Sequence, residues 1–564
     1  MRNGLFPLLQ ALMAFLLLLN MLASPRPAAA EQPRLPMVRD QLKKRLTAAE
    51  LPAEAKILGE FVHSLKMTAK FYERRDFQPA WLGLNGQFPR PAALIKAIRE
   101  VSRDGLVPEY YHLKAIESSL AKLQTAQGQE TTPDYALLAD LDVLLTDSFF
   151  LLSCHLANGC INPLMLEAQW FAGNEKMDVP AVLEKALQEN RVKESLDSLA
   201  PREGFYPKLR QALAQYREKA AKETWSVIAD GPKLRQNDKD KRIPALRQRL
   251  AVLGDLAAGE NMTAELFDER FAEAVQRFQQ RHGLTADGVI GPKTLQALNI
   301  SPQKRIRQIE LNMERLRWSL RNPGPRYILV NIANFGLEVI ENGSPVLSMR
   351  VVVGKPFWNT PVFSEEMTYL VLNPPWHIPK SIALEEILPK LRKDPGYLDR
   401  QDIKVSQNGA TLDGKALQQI NWSRLSINNF PYKFKQNPGP KNPLGSIKFV
   451  FPNQHDIYLH DSPNKNLFQR NIRAYSHGCI RIEKPVELAE YLLRDDPKWN
   501  RDAIAQTIKN GEKKTIRLPR PVPVHLLYLT AWVDENNIMQ FRDDIYERDA
   551  LLDEALSEGH LPGQ

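Results

Sequence analysis

The hydrophobic period of this chain changes at Pro323-Gly324-Pro325, and that change limits what it can fold into. Before it, apolar side chains recur every three or four residues, as in Leu209, Leu213 and Tyr216, the spacing of one helix face. After it come runs rich in β-branched residues, Tyr327–Ile332 and Val346–Val353, with Asn342-Gly343 marking a hairpin turn. The two periods bury different faces, so the halves must build different layers. At roughly 100–200 residues per domain, the length allows three or four domains. The expected class is multidomain α+β.

Residues 1–30 precede this body. They run from Met1-Arg2 through an apolar stretch, Leu5–Ala23, to Ala28-Ala29-Ala30. A charged start, an apolar centre and a small-residue end predict a secretory signal peptide. The stretch approaches the roughly 20 residues that span a bilayer, so an N-terminal anchor giving membrane association is the alternative. Either reading exports the body to the periplasm or cell envelope. The net charge is +9, with acids and bases interspersed. Most of these charges read as a solvated surface, although a basic exported protein also suits an anionic envelope polymer or membrane surface. Nucleic acid is not an expected partner.

Residues 31–230 read as a helical scaffold domain without a concentration of catalytic residue types. Cys154 and Cys160 sit too far apart for a disulfide on one continuing helix, unless Asn158-Gly159 ends it. The unbridged reading is favoured. A compact unit follows over 243–300. Pro244 opens a helix with Leu246, Leu250 and Leu253 on one face, and Phe271, Val275 and Phe278 line a second that stops at Gly283. Gly291-Pro292-Lys293-Thr294 opens a third. The helical stretch Ile306–Leu320 then leads into the β region, 325–545. Its further strands are expected at Thr368–Leu372, Ile447–Phe451, Ile457–His460, Val524–Trp532 and Ile538–Phe541. A more helical insertion at about 376–430 reads as a lid or substrate subdomain. Residues 546–564 are left as a C-terminal tail.

Chemistry concentrates at Ser476-His477-Gly478-Cys479-Ile480-Arg481. Cysteine is scarce, at three in 564 residues, yet Cys479 follows glycine in a cationic, His-rich setting. Such settings lower a thiol pKa from about 8.5 toward a reactive range. Strand alternation in Ile457-Tyr458-Leu459-His460 sets Ile457 and Leu459 on one face, Tyr458 and His460 on the other. His460 then points to a cleft and serves as base toward Cys479. Successive N–H groups at His477, Gly478 and Cys479 could form an oxyanion hole. A metal hydrolase using His455, His460, His477 and Cys479 is a different class, although that spacing matches no common zinc motif.

The pattern Phe278-Gln279-x-x-His282-Gly283-Leu284…Asp287-Gly288-x-x-Gly291-Pro292-x-Thr294-Leu295 resembles the three-helix peptidoglycan-binding domain. A docking module that no longer binds wall polymer is the alternative there. His460 with Ser476–Arg481 resembles the signature of the L,D-transpeptidases of YkuD-like fold. Asn373-Pro374, Asn442-Pro443-Leu444-Gly445, His460-Asp461-Ser462-Pro463 and Phe468 extend the match. The whole is similar to the large, YcbB-type members. The resemblance implies Cys479 as nucleophile and His460 as general base and acid, oriented by the backbone carbonyl of Asp461. It implies that Ser476 and His477 shape the loop. Arg481 would hold a substrate carboxylate or a structural partner, and Tyr458 and Trp376 would line the donor cleft or serve as core aromatics. No metal or organic cofactor is implied.

The implied reaction joins two peptidoglycan stems. Cys479 takes a tetrapeptide donor as a thioester with loss of D-Ala, and a second diaminopimelate makes a 3–3 cross-link. Peptidoglycan would be donor and acceptor, peptidoglycan synthases would be partners, and carbapenems would acylate the same sulfur. An L,D-carboxypeptidase, an enzyme attaching a lipoprotein to the wall, and a non-catalytic wall-binding scaffold are the alternatives.

Overall fold

The computed structural model describes residues 34–47, 55–82, 91–126, 134–166, 177–222, 225–257, 259, 261–318 and 323–558. The signal or anchor assigned to residues 1–30 lies outside them. Among the described residues, no helix is long and apolar enough to cross a membrane. The chain divides into two compact units, one of 1–100, 107–153 and 178–196, the other of 101–106, 154–177 and 197–564.

The described part of the first unit is mainly helical. Burying polar groups is costly unless they are paired, and its buried carboxylates are paired. Asp142 accepts from the Tyr72 hydroxyl at 2.5 Å and from the Ala80 and Trp81 N–H groups. Asp147 lies 2.8 Å from His112 Nε2 and accepts from Ser64 N at 2.7 Å. The helix Tyr135–Asn158 ends at Gly159, whose φ is +84°. That stop does not join Cys154 to Cys160, and both thiols are free.

In the second unit, helices α1 (Ile243–Leu253), α2 (Glu269–Arg281) and α3 (Pro292–Asn299) enclose a small core. Leu246, Leu250, Phe271, Val275, Phe278 and Leu298 are fully buried in it. Ile228 and Leu234 also join this core, and Leu234 bridges to Ile290, so the module begins ahead of the predicted residue 243. Its motif residues serve the fold. Gln279 Nε2 donates to Asp287, Val289 and Thr294, and Gln279 Oε1 accepts from Gly288 N. His282 Nδ1 donates to the Phe278 carbonyl at 2.7 Å.

Helix α4 (Pro302–Trp318) links this module to the β domain. It carries the buried ion pair Glu314–Arg317 at 2.5 Å. Every group of that pair has a further partner. Glu314 accepts from the Cys160 and Ile161 N–H groups, while Arg317 donates to the Asp104 carbonyl and the Tyr206 hydroxyl.

The β domain is built on a nine-stranded sheet of β1 (Arg326–Asn331), β2 (Gly336–Glu341), β3 (Ser344–Gly354), β4 (Phe363–Leu372), β5 (Ile447–Val450), β6 (Leu459–His460), β7 (Ala474–Ser476), β8 (Ile480–Ile482) and β9 (Lys514–Leu527). The order is β7-β3-β8-β6-β5-β4-β9-β1-β2, and β2 also pairs with β3, closing the sheet on itself. Strand β9 starts ten residues ahead of the predicted Val524, because alternation around Pro519 and Pro521 hides it. The predicted strand Val524–Trp532 is split, its end pairing as Ala531–Val533 with Met539–Phe541 in a separate two-stranded sheet. Between β4 and β5 lies the insertion. Its helical turns over Lys380–Lys393 pack with a four-stranded antiparallel sheet, 376–378, 432–436, 403–407 and 410–411, which alternation in the sequence did not reveal. Helix α5 (Arg548–Ser557) closes the described chain.

Candidate active site

Three neighbouring strands bring one row of basic side chains together. Lys448 on β5 is in register with His460 on β6, and His460 with Arg481 on β8. Their neighbours Ile447, Phe449, Leu459, Ile480 and Ile482 are fully buried on the opposite, core face. Period-2 alternation therefore turns Lys448, His460 and Arg481 to the same side. Tyr458 and Cys479 lie two residues back on that side, tied by the bond from Ile480 N to the Tyr458 carbonyl at 3.1 Å. Cys479, one residue ahead of β8, thus lies across from Tyr458, whose ring centre is 5.7 Å from that of His460.

His460 is 4% exposed, and its Nδ1 lies 2.5 Å from the Asp461 carbonyl oxygen. A carbonyl only accepts, so Nδ1 carries the hydrogen and Nε2 keeps its lone pair. Burial, with Arg481 adding repulsion, lowers the His460 pKa to about 3. The ring is neutral at pH 7, as a base must be. The Asp461 carboxylate faces elsewhere. It accepts from Ser446 N at 2.9 Å, Ser462 N at 2.7 Å and Lys465 Nζ at 2.6 Å.

Cys479 is partly exposed, and its Sγ donates to the Asp456 carbonyl at 3.7 Å. Burial raises its pKa, outweighing the hydrogen bonds from Tyr458 and the charge of Lys448. This corrects the expectation of a thiol pKa lowered by cationic surroundings. Desolvation of the sulfur wins, and the resting pair is neutral thiol and neutral imidazole.

The loop ahead of Cys479 is held by its own hydrogen bonds. Ser476 Oγ donates to the Cys479 carbonyl at 2.5 Å and accepts from Gly478 N at 3.2 Å. The three-donor oxyanion hole is corrected accordingly: the Gly478 N–H is turned to Ser476, and the His477 and Cys479 N–H groups are left. Gly478 has φ +110°, and a Cβ there would approach Ile457 Cδ1 to 3.2 Å. The Gly478 carbonyl accepts from Thr360 Oγ1 at 2.7 Å, which itself accepts from Gly354 N. The Tyr546 hydroxyl donates to the Gly354 carbonyl at 2.6 Å and accepts from Thr360 N. Tyr546, the first residue of the predicted tail, thereby braces the cysteine loop.

His477 points away from the sulfur. Its Nε2 lies 2.9 Å from Glu386 Oε1, and its ring is 4.3 Å from that of Trp358. Burial lowers its pKa. Arg481 Nε is buried and has no hydrogen-bond partner among the described residues. Trp376 packs partly buried against the insertion core and makes no polar or ring contact with Cys479 among the described residues. Among the described residues, His455, His460, His477 and Cys479 form no group placed to hold a metal.

Lys448, Glu386, Trp358 and its neighbour Phe357 were not singled out from sequence. Lys448 Nζ sits 3.6 Å from the centre of the Tyr458 ring, and burial lowers its pKa. Glu386 comes from the insertion, in a π-helical turn, Ala383–Ile387. Phe357, beside Trp358, is 86% exposed. Only the alternation of Ile447-Lys448-Phe449 carried a signal, a lysine on the strand face away from the core.

Three regions of the chain match known proteins. Residues 325–508 match the YkuD family, described as an L,D-transpeptidase catalytic domain. Residues 239–298 match a "Putative peptidoglycan binding domain" and residues 66–213 a scaffold domain. A Haemophilus influenzae protein described as "Putative L,D-transpeptidase" is 37% identical over 230 residues, 40% of this chain and 45% of that protein. The N-acetylmuramoyl-L-alanine amidase CwlM of Mycobacterium tuberculosis is 40% identical over 76 residues, 12% of this chain and 19% of its own. The chain thus matches less than half the length of these curated relatives. Among solved structures, an L,D-transpeptidase from Stackebrandtia nassauensis is 13% identical, covering 54% of this chain and 97% of its own, with a TM-score of 0.20. One from Xylanimonas cellulosilytica is 14% identical, covering 53% and 99%, with a TM-score of 0.16. Superpositions this loose carry no weight for the fold.

Proposed function

Because the chain carries a YkuD L,D-transpeptidase catalytic domain, together with a peptidoglycan-binding domain and a scaffold domain, we propose that it forms 3–3 cross-links in peptidoglycan through a Cys479 thioester. The observation that carries this reading is the shared face of Cys479 and His460, with Nδ1 of His460 tied to the Asp461 carbonyl.

His460 Nε2 takes the Sγ proton as sulfur attacks the carbonyl between the L-centre of diaminopimelate and D-Ala. The C–N bond breaks, and the proton passes to the departing D-Ala amine. The amine of a second diaminopimelate then attacks the thioester, gives its proton to His460, and releases sulfur, which is reprotonated. The His477 and Cys479 N–H groups stabilise the oxyanion, each such donor being worth about 3 kcal/mol. Arg481, with Nε unpartnered, takes a substrate carboxylate. Export to the periplasm or envelope, by a signal or anchor in residues 1–30, belongs to the same reading, as do synthase partners. The lid-like insertion and the wall-binding module favour cross-linking over hydrolysis or lipoprotein attachment.

Intact mass after incubation with a carbapenem tests the nucleophile. The expected result is one adduct, absent in Cys479→Ala. No adduct on the wild type would reject the transpeptidase reading, and a non-catalytic wall-binding scaffold would replace it. Muropeptide analysis then tests the acceptor, with a 3–3 product that depends on Cys479 expected; an adduct without that product leaves hydrolysis or protein attachment.

A further inference from the structure

The cross-linking chemistry makes no use of a cavity where α3, α4 and α5 come together within the second unit. Its volume is about 940 Å³. A second cavity of about 210 Å³ shares Lys293, Gln296, Ile300 and Arg305 with it and is closed by Phe541 and Arg542. Arg305 is common to both and only 7% exposed.

The pairing of Arg305 is unusual for this neighbourhood. Arg281 is bidentate on Asp255 at 2.7 and 2.5 Å, Arg315 pairs with Asp549 at 2.5 Å, and Arg317 with Glu314 at 2.5 Å. Arg305 has no carboxylate within ion-pair distance among the described residues. Its Nη1 donates to the neutral Gln308 side chain at 2.8 Å, and its guanidinium lies 4.4 Å from the centre of the Phe541 ring. Burial, with repulsion from Arg281 and only partial relief from the more distant Asp543, lowers its pKa to about 10. A buried cation of this kind is costly unless an anion completes it. Asp549 and Asp553 are held by Arg315 and Arg307, while Asp230 lines the larger cavity and Asp543 the smaller one, neither within ion-pair distance of Arg305. Lys293 stands exposed at the mouth and adds a second cation.

We propose that this cavity binds a carboxylate of a peptidoglycan stem peptide, gripped by the Arg305 guanidinium and steered by Lys293. A guanidinium edge matches a carboxylate with two parallel hydrogen bonds. The volume falls in the range of ligand pockets, roughly 300–1,000 Å³, large enough for a peptide. The α3 wall lies within the match to peptidoglycan-binding domains, so the choice of ligand rests on the proposed peptidoglycan substrate.

The test uses the full chain with the Cys479 thiol capped by iodoacetamide, which closes the reaction centre. A disaccharide-tetrapeptide is titrated calorimetrically. Saturable binding is expected, weakened at least tenfold in Arg305→Met, partly kept in Arg305→Lys, and lost when the peptide carboxylates are amidated. Equal affinity in Arg305→Met, or for the amidated peptide, overturns the proposal. If circular dichroism shows Arg305→Met to be unfolded, Lys293→Met on the exposed rim takes its place. Several-fold weaker binding is then expected, and unchanged binding overturns the proposal. A carbapenem adduct on uncapped wild type alongside absent cavity binding rejects this site alone, whereas absence of the adduct rejects the transpeptidase reading.

Discussion

Lys448 reaches over Tyr458 toward the sulfur from a strand with no recognisable motif. Its charge favours the Cys479 thiolate, yet burial still holds the thiol above its ordinary range. Alkylation of Cys479 by iodoacetamide is therefore expected to climb with pH to beyond 9, without the plateau near pH 6 of a pre-ionised thiolate. In Lys448→Met the profile moves up by about 1 unit, the low end of what one opposite charge contributes. A profile that stays in place would remove Lys448 from the electrostatics of the site. The residues legible in sequence were Cys479, His460 and the Asp461 carbonyl, because they lie in short runs with their own chemistry. Lys448, Glu386 and Trp358 were not. Each arrives from a segment remote in sequence, and only the sheet register and the insertion bring them in. The thiol pKa was misjudged for a related reason: charge can be counted along a chain, but desolvation depends on packing.

The turn Asn442–Ser446 and the end of β6 act as one element. Gly445 has φ +63°, and a Cβ there would collide with the Asp461 carboxylate. Asn442 donates to the Pro374 carbonyl at 2.9 Å, and Asn373 donates to the Thr507 and Glu512 carbonyls. The scattered pieces Asn373-Pro374, Asn442–Gly445 and His460-Asp461 are thus parts of a single support for the His460 ring. This explains why they read together as a signature. Gly445→Ala should cost about 1–3 kcal/mol in stability through backbone strain and displacement of Asp461. It should also slow carbapenem acylation. A mutant with wild-type melting temperature and acylation rate would separate the turn from His460. The insertion was less legible. Its strands are two to five residues long and partly exposed, shorter than the windows in which alternation becomes readable.

In the second unit, His282, His460 and His525 are buried and neutral. Burial takes His460 to about pKa 3 and His525 to about 4, and holds His282 well below its usual range. Their folded pKa values lie below the unfolded value of about 6.5, so the unfolded chain binds more protons on acidification. Stability is full above pH 6.5 and falls below it, by up to about 1.4 kcal/mol per pH unit for each histidine, down to about pH 4 for His525. Melting temperature measured from pH 7.5 to 5 should decline, and replacing His525 with Gln should flatten the slope. A flat wild-type profile would contradict the buried neutral state. The division into helical and β regions was visible in the change of period. The compact units were not, because residues 101–106 and 154–177 leave the helical region to join the later one, a partition set by packing rather than by local pattern.

The brace from Tyr546 to the Gly354 and Thr360 backbone has a consequence for the order of manufacture. Cys479 and His460 are both translated more than 60 residues before Tyr546. A chain still emerging from the ribosome or the export channel would carry both reactive groups without the strut that fixes their loop. Activity would then be withheld until Tyr546 has emerged, and clipping the chain ahead of Tyr546 would disarm the protein while leaving every reacting atom in place.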